Sequence, residues 1–187
     1  MSKPLDVLLI TPPSRVQVYQ ELSRDFAAIE PPVWSGLIAT FLRQHSCSVA
    51  ILDAEAEGLN HQQTADRIAA IAPRLAVFVI YGQQPSASTQ CMPAGRKVCE
   101  ILTTLADIPT LVMGTHPSAL PKRTLLEEPY TYVCQGEGPA TILGLVIALR
   151  APQHSLREVP GLWHMEKGVP VGNAPAQLLT NLDCEVP

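Results

Sequence analysis

Five short apolar runs, spaced along most of the chain, constrain its fold more than any other feature. Most of them are rich in Val, Ile or Leu with little polar alternation, which is typical of strands buried on both faces of a parallel sheet. Segments with helical periodicity separate the runs, and this alternation predicts an α/β domain with a doubly wound, five-stranded parallel sheet. The predicted strands are Val7–Ile10, Val49–Leu52, Leu75–Ile80, Thr110–Met113 and Tyr130–Cys134.

The segments between the runs carry the apolar stripes of four helices, at Trp34–Leu42, Ile68–Ala72, Val98–Leu105 and Ile142–Leu149. The 18 prolines support the same element order, because they are dispersed along the chain instead of forming one tract. We predict that Pro31, Pro32, Pro93 and Pro139 stand at helix starts, where a missing N–H costs no hydrogen bond.

Residues 151–187 show no helical periodicity. Within them, Leu162–Met165 and Val169–Val171 flank Glu166-Lys167-Gly168, which predicts a β-hairpin with Gly at the turn. We therefore expect a Rossmann-like domain over residues 1–150, and a C-terminal β-hairpin extension with a linker over residues 151–187. Because no helix or strand is predicted after the linker, we expect that the chain is part of a longer protein.

Composition excludes several function classes. The formal net charge is −4 and no block of Lys and Arg occurs, so we expect no nucleic-acid partner. No apolar run approaches the roughly 18 residues needed to cross a bilayer, and the N-terminus lacks the shape of a signal peptide, which together predict a cytoplasmic protein without a membrane partner. The five cysteines form no CxxC or CxxxCxxC motif, so we predict no metal or iron–sulfur site in this chain alone.

The loops that follow the predicted strands are the candidate ligand site, because open α/β sheets bind ligands beyond the carboxyl ends of their strands. These loops offer backbone N–H groups, hydroxyls and carboxamides, which suit a large, mostly neutral ligand rich in amides. No GxGxxG or P-loop motif follows the first strand, which makes a dinucleotide cofactor less favoured. Plainer explanations stay open: Gly136-Glu137-Gly138 is equally typical of a tight turn, His116 of a loop hydrogen-bonder, and Arg15 of a solvated side chain.

The loop motifs, in their order and spacing, resemble the N-terminal cobalamin (vitamin B12)-binding domain of class B radical S-adenosylmethionine (SAM) enzymes. The resemblance rests on Thr11-Pro12-Pro13, Pro31-Pro32 with Ser35-Gly36-Leu37, Ile51–Glu55, Val112–Pro117, Gly136-Glu137-Gly138 and, in the tail, Pro160–Trp163, Gly168, Asn173 and Leu182-Asp183. It covers nearly the whole chain. No catalytic residue is expected here, because the radical chemistry of that family belongs to a barrel domain with a CxxxCxxC motif.

The resemblance implies a module that holds methylcobalamin (or hydroxocobalamin) for a radical SAM methyltransferase whose barrel is not in this chain. SAM and an iron–sulfur cluster would belong to that partner domain, in cis or in trans. The corrin ring would lie near Pro13–Val16 and Gln83-Gln84, with the nucleotide tail in the crevice after the third, fourth and fifth strands. The residues expected to contact the cofactor are Pro12, Pro13, Ser14, Arg15, Val16, Gln83, Gln84, Ser86, Ser88, Thr89, Gly114, Thr115, His116, Pro117, Gly136, Glu137 and Gly138.

The sequence departs from the family pattern at three places. Thr115 stands where the family usually has a second Gly, and Pro139 where it often has Glu. The DxHxxG motif, whose His ligates cobalt in other cobalamin proteins, is absent, so the cobalt would face water or the side chain of Arg15, Gln17 or Tyr19. Two alternatives remain: a stand-alone cobalamin carrier or sensor, and an unrelated flavodoxin-like binding domain.

Overall fold

The computed structural model describes residues 4–23, 29–81, 85–151 and 154–181. Its seven strands form one sheet in the order β2-β1-β3-β4-β5-β6-β7, in which the first five strands are parallel and the last two antiparallel. The strands are β1 Val7–Thr11, β2 Val49–Asp53, β3 Leu75–Val79, β4 Thr110–Met113, β5 Tyr132–Cys134, β6 Leu162–Glu166 and β7 Val169–Gly172. The predicted fold class is confirmed, including the C-terminal hairpin.

Strand β5 is shorter than the apolar run that predicted it. Thr110 and Thr131 exchange hydrogen bonds in which each main-chain N–H donates to the other residue's hydroxyl, at 3.2 and 3.0 Å. These side-chain bonds take the place of strand pairing at this point, and so β5 begins at Tyr132. The preceding Tyr130 is nevertheless buried in the core.

Helices cover both faces of the sheet. They are α1 Arg15–Tyr19, α2 Val33–Gln44, α3 His61–Ile71, α4 Pro85–Leu105, α5 Thr115–Ala119, α6 Pro121–Glu127 and α7 Pro139–Arg150, with short 3₁₀ turns at Gln20–Ser23 and Leu156–Glu158. One core packs α2 and α7 on the face that carries Leu9 and Val77, and the other packs α3 and α4 on the face of Leu8 and Phe78. Among the helices of the described residues, none has the length and apolar composition that crossing a bilayer requires.

One predicted proline position is wrong. Pro93 does not start a helix but lies within α4, which begins eight residues earlier at Pro85. The ring of Pro93 is on the exposed side of the helix, as is Thr89, whose carbonyl the missing N–H leaves without its intrahelical donor. Because water can reach that carbonyl, the helix continues through the proline.

The C-terminal hairpin extends the sheet. Its turn residues Lys167 and Gly168 both have positive φ, 51° and 79°, which is the geometry of a two-residue type I′ turn. Trp163 packs against the core face of Phe78, and its indole N–H donates to the side-chain oxygen of Gln135 at 2.8 Å. The hairpin is therefore bonded to β5 by main-chain and side-chain contacts; the division of the chain into two domains stays a prediction.

A buried carboxylate closes the amino end of the sheet. Asp6 is 1% exposed and accepts from the main-chain N–H and hydroxyl of Ser48, at 2.8 and 2.6 Å, while Arg150 lies 2.6 Å and Arg74 3.7 Å away. These contacts join the starts of β1, β2 and β3 to the end of α7. Burial raises the pKa of the Asp6 carboxyl, but the hydrogen bonds from Arg150 and Ser48 outweigh burial and hold its pKa well below the usual range.

We expect Asp6→Asn to lower the free energy of unfolding by about 3 kcal/mol at pH 7, because it leaves Arg150 without its buried partner. The depressed pKa means that the stabilisation is complete above the ordinary carboxyl pKa of about 4 and is lost as pH falls below it. Urea unfolding from pH 7 to pH 2 should therefore show a smaller acid-induced loss of stability in the variant. Asp66→Asn, an exposed position, is the charge-matched control; equal pH slopes in all three proteins would contradict this account.

Candidate functional site

A cleft of about 340 Å³ opens at the carboxyl ends of β1 and β3. The helix α2, which lies between β1 and β2, packs on one face of the sheet, and α4, which follows β3, packs on the other. Such a switch point is where open α/β sheets leave room for a ligand. The walls come from the end of β1, from α1, from the start of α2, from the turn after β2 and from α4.

Polar side chains form the floor of the cleft. Ser14 and Arg15, both predicted as contact residues, lie here with Glu55 and Cys91. The main-chain N–H of Arg15 donates to the Glu55 carboxylate, and Nε of Arg15 lies 3.7 Å from the other carboxylate oxygen. Burial raises the pKa of the Cys91 thiol, and a hydrogen bond with Ser14 offsets part of that rise. The thiol is consequently protonated at neutral pH.

An aromatic pair forms one wall. The rings of Trp34 and Tyr81 stack with centroids 4.8 Å apart and an interplanar angle of 23°. Burial, together with the neighbouring Cys134 and Glu137, raises the pKa of Tyr81 to about 12, so its hydroxyl stays protonated. Trp34 is 51% exposed, and the other exposed large hydrophobic side chains that line the cleft are Tyr19, Ile29 and Val33.

Sequence reasoning missed this wall. It assigned Trp34 to the buried stripe of α2, but the residues of that stripe that become buried are Ile38, Phe41 and Leu42. A signal was present, since Val33 beside Trp34 makes the first turn of α2 more apolar than one buried face requires. Tyr81 was missed because it ends the third apolar run, just before the predicted contact residues Gln83 and Gln84. Glu55 supports the resemblance as part of Ile51–Glu55, but it was not predicted as a contact residue.

A second polar cluster joins α4 to the loop after β4, where the crevice for the nucleotide tail is expected. The hydroxyl of Ser88 donates to the carbonyl of Ile80 at 2.5 Å and accepts from the N–H of His116 at 3.1 Å. The hydroxyl of Thr89 lies 2.9 Å from Nδ1 of His116. Burial, with a contribution from Arg123, lowers the pKa of His116, which is therefore mostly neutral at pH 7. The structure thus brings the predicted residues Ser88, Thr89 and His116 together.

Gly114 permits this close approach. Its φ is +147°, and a Cβ at this position would lie 2.0 Å from the carbonyl oxygen of Ile80. Only glycine allows β4 to turn here into α5, which carries Thr115, His116 and the buried Pro117.

The loop between β5 and α7 closes the crevice on its far side. The N–H of Gly136 donates to the hydroxyl of Ser118 at 2.9 Å, and Gly138 packs so tightly that a Cβ would lie 2.3 Å from Cε of Met113. Glu137 accepts a hydrogen bond at 3.0 Å from the main-chain N–H of Leu179. Its carboxylate therefore anchors the segment that follows the hairpin.

The other predicted contact residues have these positions. Pro12 and Pro13 connect β1 to α1, and Val16 is 69% exposed in α1. Gln83 and Gln84 lie outside the described residues, as does the side chain of Ser86. Within the described part of the chain, no three His, Cys, Asp or Glu side chains are grouped so that they could hold a metal ion.

Comparison with known proteins places this geometry in context. The family model "B12 binding domain" matches residues 22–146. The fold is similar to a radical SAM methyltransferase, TsrM, from Kitasatospora setae, with tryptophan substrate and a SAM analog bound: TM-score 0.72, 19% identity, 91% of this chain and 30% of that chain covered. It is also similar to the cobalamin-dependent SAM radical enzyme OxsB with aqua-cobalamin and SAM bound: TM-score 0.71, 19% identity, 99% and 24% covered.

The TM-scores show that these structures share the fold of this chain, and at 19% identity the likeness shows the fold alone. The chain spans only 30% of the TsrM chain and 24% of the OxsB chain. No protein of curated function matches it in sequence.

We expect Gly114→Ala to destabilise the fold by about 3 kcal/mol or more, because the new methyl group meets backbone and the φ is unfavourable. Gly36→Ala is the matched control, since a Cβ there has nothing within 4 Å. Within α2 that change should raise stability by about 0.5–1 kcal/mol. Thermal unfolding of the two variants measures both effects, and equal melting temperatures would contradict the role given to Gly114.

Proposed function

The chain belongs to the family of B12-binding domains, and from that premise we propose that it holds cobalamin across the cleft and the adjoining crevice. The corrin ring would lie over the loop between β1 and α1 and against the start of α2. The nucleotide tail would run into the crevice beside Ser88, Gly114 and Gly136. The family match over residues 22–146 carries this proposal, and it removes the alternative of an unrelated flavodoxin-like domain.

The side chains fit such a ligand. A corrin presents a broad apolar surface with amide groups at its edge, and the cleft pairs the half-exposed Trp34 with a polar floor. The hydroxyl of Ser35, which is buried in the wall, has no hydrogen-bond partner among the described residues. Beside Gly136 there is open space, with no atom within 4 Å of a Cβ built there. Close approach of a ligand to the backbone is therefore possible at this loop.

The lower axial position of the cobalt would be free of histidine. In the described part of the cleft, no histidine contributes to the lining, and His116 is bonded to Thr89 in the crevice. We propose that Ser14 and Arg15 would hold the cofactor at the floor of the cleft, where no histidine ligand is offered. Bound in this way, cobalamin supplies a cobalt centre that can carry a methyl group.

The finer proposal is that the module holds methylcobalamin for a radical SAM methyltransferase domain, in cis or in trans. Both structural neighbours are radical SAM enzymes, and this chain corresponds to less than a third of either. A stand-alone carrier or sensor remains the second candidate. A CxxxCxxC motif downstream in the reading frame would decide for the enzyme.

Cobalamin binding is tested by purifying the chain with hydroxocobalamin and recording the visible spectrum after gel filtration. We expect corrin absorbance to co-elute with the protein near one equivalent. Absence of corrin absorbance in the protein peak would overturn the proposal.

Trp34→Ala tests the position of the ring. We expect about tenfold weaker binding of hydroxocobalamin, because the exposed indole would be buried under the corrin. Leu105→Ala is the matched control: Leu105 is 46% exposed at the C-terminal end of α4, remote from the cleft. Titration of each variant by absorbance should separate them, and equal affinities would place the ring elsewhere.

A further inference from the structure

The carboxylate of Glu55 links the loops that follow β1 and β2. It accepts a hydrogen bond from the main-chain N–H of Arg15 and forms an ion pair with the same residue's Nε. The two side chains are 28% and 18% exposed for Arg15 and Glu55, whereas the nearby surface pair Arg67–Glu57 is 52% and 41% exposed. The Glu55 pair is thus better shielded from water, and its interaction is correspondingly stronger.

A rigid turn holds Glu55 in place. Asp53 accepts from the N–H of Ala56 with its side chain, at 3.2 Å, and from the N–H of Glu57 with its carbonyl, at 3.0 Å. The N–H of Ala54 donates to the carbonyl of Thr11, the last residue of β1, at 3.1 Å. These bonds close the turn on either side of Glu55 and attach it to the end of β1, and so they set the position of Glu55 relative to β1.

Glu55 also supports the start of α1, which Ser14 does not cap. A serine before a helix commonly accepts from the N–H of the second or third helical residue, but Ser14 makes no such bond here. The Glu55 carboxylate accepts from the N–H of Arg15, the first residue of α1, and the Ser14 hydroxyl bonds to Cys91 of α4. One carboxylate therefore determines how α1, α4 and the turn after β2 meet at the floor of the cleft.

We infer that Glu55 is a positioning residue for the bound cofactor. By holding Arg15, and by leaving Ser14 bonded to Cys91, it shapes the floor over which the corrin ring would lie. It also balances the charge of Arg15, so that the floor suits a ligand whose edge carries neutral amides. This inference rests on the proposed cobalamin binding, but Glu55 acts through Arg15 and Ser14 and is not itself assigned a contact with the ring.

The test uses the full chain with Glu55→Ala, Glu55→Gln and the control Glu57→Gln, which removes the same charge from the exposed pair with Arg67. We expect hydroxocobalamin to dissociate about tenfold faster from Glu55→Ala, the loss typical when a supporting residue is removed. Glu55→Gln should give an intermediate rate, because its amide oxygen still accepts from Arg15. The visible bands of the bound corrin should shift in Glu55→Ala and not in the control.

A second measurement needs no cofactor. Amide hydrogen exchange in the peptide that contains Arg15, and alkylation of Cys91 followed by mass spectrometry, should both be several-fold faster in Glu55→Ala than in the unaltered chain. Unchanged exchange and alkylation would overturn the inference. So would unchanged dissociation in Glu55→Ala when the unaltered chain binds hydroxocobalamin. Failure of the unaltered chain to bind would instead overturn the proposed function, and with it the role of Glu55 toward the cofactor.

Discussion

Burial of the central strands on both faces is the constraint from which the rest of this molecule follows. Every side chain of β3 and β4 is buried, as are those of Val7–Ile10 in β1. A strand in that environment carries almost no polar chemistry within its length. Polar and charged groups are therefore gathered at the two ends of the sheet, and the two ends are built differently.

At the amino end the polar groups neutralise one another. Asp6 is surrounded by Ser48, Arg74 and Arg150, which come from three other parts of the chain. At the carboxyl end the helices α2 and α4 pack on opposite faces of the sheet, and residues of both line a cleft. The ion network stabilises the fold at the amino end of the sheet, so the carboxyl end can keep exposed apolar and polar groups for a ligand.

The sequence predicted the sheet because its signal is local. Each apolar run contains a strand, and the Lys167-Gly168 turn follows from the conformational preference of glycine. Pro93 was wrongly predicted to start a helix, because a proline is tolerated inside a helix when the carbonyl that loses its N–H donor faces water. Whether that carbonyl is exposed depends on the tertiary fold. The role of Asp6 has no local signal in the sequence, since Arg150, its closest ion-pair partner, is 144 positions away.

The candidate site, too, contains residues that local sequence predicts and residues that only tertiary contacts reveal. The segments after β1, β3, β4 and β5 were predicted from strand ends, and the structure brings Ser88, Thr89 and His116 of those predictions together. Trp34 and Glu55 could not be found in this way, because their importance comes from partners on other elements, Tyr81 and Arg15. Strand ends locate a site in sequence, whereas its walls depend on which helices pack beside it.

Much of the polar chemistry around the crevice is already satisfied within the protein. Ser88 bonds to Ile80 and His116, Gly136 to Ser118, and Glu137 to Leu179. A ligand would thus enter a preformed space and lose little free energy in ordering these loops. Substitutions in the crevice should consequently change binding through the shape of the site and the position of its backbone. In the cleft, by contrast, the side chains of the aromatic wall would contact the ligand, and those of Glu55 and Arg15 would support it. The same ligand would be recognised by rigid backbone at one end and by side-chain surface at the other.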